Sequence, residues 1–227
     1  MTQLLASVTN AREAALALTG GADIIDLKEP ANGVLGAVSP EIQKEVVQLV
    51  MKRRPVSATV GDFPMRAKTL SQAIEATADT GVDIVKVGLP YLEQHPDCLK
   101  ALSGNAERGV HIVAVLFAEQ KPTLQLLDEL AHAGCFGVML DTANKSAGNL
   151  CNITDPDSLS IFVRHARRLG LLSGLAGSLT VDNIGLLLNL NPDYLGFRGA
   201  LCDAGKRTGQ LSPKALACVR KCFDNTG

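Results

Sequence analysis

The chain is predicted to fold as a single (β/α)8 barrel of the TIM type, in the α/β class, spanning residues 1–227. Three observations predict it. Short β-rich runs alternate with amphipathic stretches over eight units, and alternation with short connections implies parallel strands. Several amphipathic stretches close on glycine, the residue that accepts a positive φ after the last helical turn. One turn signature recurs ahead of the strands: Gly21-Ala22-Asp23, Gly81-Val82-Asp83, Gly134-Cys135-Phe136-Gly137 and Asn191-Pro192-Asp193. Equivalent helix-to-strand turns at one end of one architecture would look like this. A doubly wound open sheet fits eight regular units less well, and no Gly-x-Gly-x-x-Gly follows the first strand.

The strands are expected at Leu4–Val8, Ile24–Lys28, Val56–Val60, Ile84–Val87, Ile112–Leu116, Gly137–Leu140, Leu172–Ala176 and Tyr194–Phe197. Each is short and rich in β-branched or aliphatic residues, as strands buried on both faces are. Helical patterns lie between them. Asn10–Thr19 ends at Gly20-Gly21, and Pro40–Lys52 follows Ser39, which suits an N-cap. Leu70–Thr80 ends at Gly81, Thr123–Ala133 at Gly134 and Ser158–Leu169 at Gly170. Thr180–Leu190 and Ser212–Phe223 complete the set. No linker and no low-complexity tract divides the chain.

Composition narrows the function classes. Hydrophobic residues make up 46% and charged residues 20%, with a formal net charge of -1. The basic residues are scattered, which argues against nucleic acid or a membrane surface as partner. No apolar run approaches the roughly 20 residues that span a bilayer. Met1 to Ala6 carry no basic segment ahead of an apolar one, so no secretory signal is expected. Six cysteines without a disulfide-type spacing then read as reduced thiols in a cytoplasmic protein. Cys218 and Cys222 are one helical turn apart; two small apolar residues on a helix face explain them better than a metal clasp does. His95, His111, His132 and His165 show no metal-ligand spacing, so no zinc site is expected. The sequence leaves the oligomeric state open, a homo-oligomer included.

A barrel would place its active site at the carboxyl ends of the strands, and polar residues gather there. Asp26 and Lys28 are two apart at the end of the second strand, so they share a face. The fourth strand carries Lys86, and the sixth ends in Asp141-Thr142-Ala143 with Lys145 just beyond. Strands two, four and six contribute to common layers, so Lys28, Lys86 and Asp141 are expected to face one another across the mouth. An ammonium held without water is costly. Chemistry repays that cost, because a desolvated lysine near other cations more readily becomes a neutral amine able to attack a carbonyl carbon. Neighbouring carboxylates can relay the protons. The last two units suggest a phosphate site. Gly177 and Gly199 would let backbone approach an anion, with Ser178 and Arg198 as donors and Lys206 and Arg207 extending a positive rim.

These residues resemble those of the (5-formylfuran-3-yl)methyl phosphate synthase family. The likeness runs from Gly20 through Pro30 and Gly33-Val34-Leu35-Gly36-Ala37 to Val56 through Asp62. It continues in Val85-Lys86-Val87-Gly88-Leu89, Met139 through Ala143, Leu175-Ala176-Gly177-Ser178 and Arg198-Gly199-Ala200. The resemblance implies a Schiff-base barrel enzyme making a furan precursor of methanofuran-type C1 carriers. Its substrate would be the triose glyceraldehyde 3-phosphate, two molecules condensing with loss of phosphate and water. It implies Lys28 as the imine-forming lysine, with Lys86, Asp26, Asp141 and Lys145 at the other catalytic positions, and neither cofactor nor metal. Two alternatives share the fold: another class I aldolase acting on triose phosphates, and a non-catalytic sugar-phosphate-binding barrel.

Overall fold

The computed structural model describes residues 1–144 and 148–224. Eight parallel strands close into a barrel in chain order, with β8 pairing back onto β1. The strands are β1 (Gln3–Val8), β2 (Ile24–Leu27), β3 (Val56–Thr59), β4 (Ile84–Gly88), β5 (Ile112–Phe117), β6 (Gly137–Asp141), β7 (Leu172–Leu175) and β8 (Tyr194–Phe197). Around them lie α1 (Ala11–Thr19), α2 (Pro40–Val50), α3 (Ala67–Ala78), α4 (Pro96–Glu107), α5 (Leu124–His132), the single turn α6 (Leu150–Ile153), α7 (Pro156–Arg168), α8 (Val181–Leu188) and α9 (Pro213–Asp224).

Local chemistry starts the helices at or within three residues of the expected positions, α3 at Ala67 rather than Leu70 and α7 at Pro156 rather than Ser158. Asn10 accepts from the Glu13 amide at 3.0 Å, Thr123 from Leu126 at 3.2 Å and Asp155 from Ser158 at 2.9 Å. Each satisfies one orphan amide of a first turn. The strand boundaries agree with expectation to within one or two residues. Helix α4 is the difference of substance, since the sequence pattern there was too weak to mark it. Its inward face is Cys98, Leu102 and Asn105, so a polar residue stands where the third apolar one would be. The Asn105 amide group is satisfied by the Ala101 carbonyl at 2.8 Å and the Ser71 hydroxyl at 3.0 Å.

The recurring acid before a strand proves to be a latch at the amino-terminal end of the barrel. Asp23, ahead of β2, accepts from the Leu4 amide of β1 at 2.9 Å. Asp83, ahead of β4, accepts from Val56 of β3 at 2.9 Å. Asp193, ahead of β8, accepts from the amide and hydroxyl of Ser173 in β7 at 2.7 and 2.8 Å. Each carboxylate thus ties an even strand to the start of the odd strand before it. The fourth pair uses a ring instead: Phe136, ahead of β6, stacks on His111, ahead of β5, with centroids 4.5 Å apart.

Two apolar clusters follow from the alternation of side chains along the strands. One lies between barrel and helices and includes Leu4, Val8, Ile25, Leu27, Val46, Ile74, Leu102, Leu130, Val163 and Leu187. The other fills the barrel interior with Leu5, Ile24, Val113, Val115, Met139 and Tyr194. Tyr194 fits only because position 174 is glycine: a Cβ there would stand 2.2 Å from Cζ of the ring. Above this apolar floor the inward residues turn polar.

Candidate active site

Asp26 lies fully buried in the barrel interior. Its Oδ2 accepts from Ser7 Oγ at 2.7 Å. Its Oδ1 accepts from Ser57 Oγ at 2.7 Å and from Lys86 Nζ at 2.9 Å. Strand register brings these groups together: Asp26 is level with Ser7 on one neighbour and with Ser57 on the other. Burial alone would raise the Asp26 carboxyl, but the Lys86 charge, the Ser57 hydroxyl and the charge of Lys28 outweigh it and hold the group below the usual aspartate range. It is therefore a buried carboxylate, and Lys86, only 2% exposed along its side chain, is its ion-pair partner.

Lys28 is one step nearer the mouth. It follows the last residue of β2, and its backbone amide still bonds to the Val8 carbonyl at 3.0 Å. Its Nζ is 3.5 Å from Asp141 Oδ2, at side-chain exposures of 11% and 4%. Asp141 Oδ1 accepts from the Thr142 amide at 2.7 Å, which turns the other oxygen toward the lysine. Lys28, Lys86 and Asp141 line one cavity of about 530 Å³, within the range of ordinary ligand sites. Lys145 lies outside the described residues.

Gly177, Ser178, Gly199 and Ala200 line the same cavity from the ends of β7 and β8. Their backbone amides have no acceptor among the described residues. Gly177 has φ +113°, and a Cβ there would meet the Thr142 side chain at 2.6 Å, so only glycine serves. Ser178 adopts φ +50° beside it and is exposed. Four unengaged amides beside the start of α8 suit an anion.

Arg198 requires a correction, because its guanidinium is spent on the protein. Nε donates to the Arg207 carbonyl at 2.9 Å, Nη1 to the Ser7 carbonyl at 3.1 Å, and Nη2 to the Gly209 carbonyl at 2.7 Å. Both Nη atoms also donate to the Glu13 carboxylate. All five N–H donors are committed, although the residue lines the cavity. Glu13, in the first turn of α1, accepts as well from the Thr9 and Leu211 amides, both at 2.9 Å. Burial raises its carboxyl, but Arg198 and these amides more than reverse that and hold it low. The sequence offered no signal for the pair, whose members stand 185 residues apart.

Other supporting residues were also missed. Ser7 was not a candidate, although a hydroxyl on the inward face of β1 was available as a clue. Glu119, just after β5, accepts from the amides of Ala143 and Asn144 at 3.0 and 2.8 Å. It thereby holds the start of the loop that follows Asp141.

The profile of the 4-HFC-P synthase family matches residues 4–220. The (5-formylfuran-3-yl)methyl phosphate synthase of Methanosarcina acetivorans is 34% identical over 231 residues, covering 97% of this chain and 99% of that one. The chain belongs to the 4-HFC-P synthase family. The Methanopyrus kandleri synthase is 35% identical over 217 residues, covering 90% and 91%. Synthase-family membership over this span makes the chain an enzyme and the polar cavity its candidate active site. More distant solved structures show the fold alone. Phosphoribosyl anthranilate isomerase from Thermus thermophilus superposes with a TM-score of 0.72 at 14% identity, covering 100% of both chains. The 3-hexulose-6-phosphate synthase of Salmonella typhimurium does so with 0.65 at 18%, covering 96% and 98%.

Proposed function

We propose that this synthase-family enzyme joins two molecules of glyceraldehyde 3-phosphate through a Schiff base on Lys28, releasing phosphate and water and leaving a furan-aldehyde phosphate. The product would serve as a precursor of methanofuran-type C1 carriers. The observation that carries this is the placement of Lys28: a nearly buried amine at the cavity mouth, 3.5 Å from Asp141 and beside the buried Asp26–Lys86 pair.

The steps follow from that geometry. Attack needs the lysine as a neutral amine, and Asp141 is the group placed to take its proton and to return it when the carbinolamine loses water. The imine acidifies the adjacent carbon by drawing its electrons toward nitrogen. Loss of that proton gives an enamine, which can attack the aldehyde carbon of a second triose. The same electron flow can expel phosphate from the carbon one bond further on. Two C3 phosphates become one C6 furan phosphate when one phosphate and two waters leave. Asp26 pairs with Lys86 at 2.9 Å and fixes it below the reacting carbons. The amides at Gly177, Ser178, Gly199 and Ala200 would hold a substrate phosphate. Lys145 is carried as a further catalytic lysine on the family resemblance. Among the described residues no disulfide links the cysteines, which supports a reducing, cytoplasmic setting, and no helix is long and apolar enough to cross a membrane.

Borohydride reduction in the presence of glyceraldehyde 3-phosphate, with peptide mass mapping, tests the assignment. A reduced adduct is expected on Lys28 and none in Lys28→Arg. An adduct on Lys86 would move the nucleophile two strands along, to β4. An aldol product without furan absorbance would place the enzyme among other class I aldolases, and unimpaired turnover by Lys28→Ala would reject imine catalysis altogether.

A further inference from the structure

The cations lining the catalytic cavity are not alike. Lys28 faces Asp141, Lys86 faces Asp26 and Arg198 faces Glu13. Arg207 lines the cavity too and has no carboxylate partner among the described residues. It starts in the loop after β8, where its own carbonyl is held by Arg198 Nε. Its guanidinium crosses to the loop after β2. There Nη2 donates to the Pro30 carbonyl at 2.9 Å and the Gly33 carbonyl at 2.6 Å. Those two bonds orient the group and leave Nε and Nη1, three of its five N–H donors, without an acceptor among the described residues. A fixed, unneutralised guanidinium at the rim of a reactive cavity is a poor use of charge unless an anion arrives. Asp182 is the cavity's remaining acid, on α8 three strands round the ring.

We propose that Arg207 binds a phosphate of the triose substrate and selects phosphorylated aldehydes. This rests on the triose-phosphate reading above, and two trioses bring two phosphates. The amide cluster at β7 and β8 supplies one anion position, and Arg207 supplies a second near the Lys28 side of the mouth. Arg198 acts through it as a positioning residue, since its Nε holds the Arg207 carbonyl while Glu13 holds the Arg198 guanidinium.

The test is borohydride trapping on Lys28 as a function of aldehyde concentration, with glyceraldehyde 3-phosphate and with unphosphorylated glyceraldehyde. Loss of a charged hydrogen-bond partner predicts that Arg207→Gln needs roughly ten- to a hundredfold more glyceraldehyde 3-phosphate for half-maximal trapping. Glyceraldehyde trapping should stay within about twofold of wild type, and Arg207→Lys, which keeps the charge, should recover part of the loss. An equal fall for both aldehydes would make Arg207 a mere tether between loops and overturn the proposal, as would no change for either. If wild type yields no adduct with either aldehyde, the imine assignment fails by itself. Calorimetric binding of inorganic phosphate then decides Arg207 separately: weaker binding by Arg207→Gln supports it, and equal binding rejects it.

Discussion

Asp26 accepts three hydrogen bonds at a fully buried position, and each bond constrains what a substitution can do. Asp26→Asn keeps the shape but removes the charge that pairs with Lys86. Breaking a buried ion pair from one side costs about 3–5 kcal/mol, which lowers the melting midpoint by roughly 10 °C in a chain of this size. The expected outcome is that loss, together with a fall in turnover of about a hundredfold, since a small misplacement of a group at the reacting centre can cost on the order of 10²-fold. Asp26→Leu combined with Lys86→Met should return much of the midpoint and none of the turnover. Differential scanning calorimetry beside a furan absorbance assay would show it, and a single variant that keeps its midpoint would deny the pair its structural weight. The sequence revealed Asp26 and Lys28 because alternation on a buried strand makes inward charges conspicuous. It was silent on Ser7, since a lone serine on a strand is unremarkable until the neighbouring strand is in register with it.

At the scale of elements, the three aspartate latches explain why one turn signature recurs in the chain. Each acid stands just ahead of an even strand and binds an amide at the start of the odd strand before it. The pattern was legible as a repeat, while its meaning needed the partner strand. Tyr194 and Gly174 make the converse point. Neither residue announces the other in sequence, yet a methyl group at position 174 would sit 2.2 Å from the ring. Gly174→Ala is therefore expected to destabilise by about 1–3 kcal/mol through overpacking, with Tyr194→Val in the same chain restoring part of it. Urea midpoints of the two variants measure this, and an unshifted Gly174→Ala midpoint would mean the floor can give way. Helix α4 escaped notice because Asn105 replaces an apolar residue on its buried face, and its burial depends on Ser71 from α3.

For the whole molecule, the carboxylates define a pH response. Asp26 and Glu13 both have native values held below those of the unfolded chain, where aspartate and glutamate titrate at about 3.9 and 4.3. Groups depressed in this way contribute stability that is fully present above their unfolded values and is lost as pH falls through the native ones. The melting midpoint should be level from about pH 7 down to about pH 5 as far as these groups contribute, then drop on further acidification. Asp26→Asn and Glu13→Gln should each flatten that acid limb while lowering the plateau. A limb of unchanged steepness in both variants would assign acid sensitivity to other groups.

The sequence by itself determined the alternation of strand and helix, the strand carrying Asp26 and Lys28, the position of Asp141 and the family resemblance. These rest on periodicity, capping and turn chemistry within a few residues, which a linear reading can follow. Tertiary structure decided which partner each charge takes. Lys86 meets Asp26 across 60 residues, Lys28 meets Asp141 across 113 and Arg198 meets Glu13 across 185. Barrel closure sets those distances, and pairing energy depends on distance through space and on the water excluded between the groups. For that reason Arg198, a ligand candidate in the sequence, is a clamp in the fold, and Arg207 beside it is left to meet the substrate.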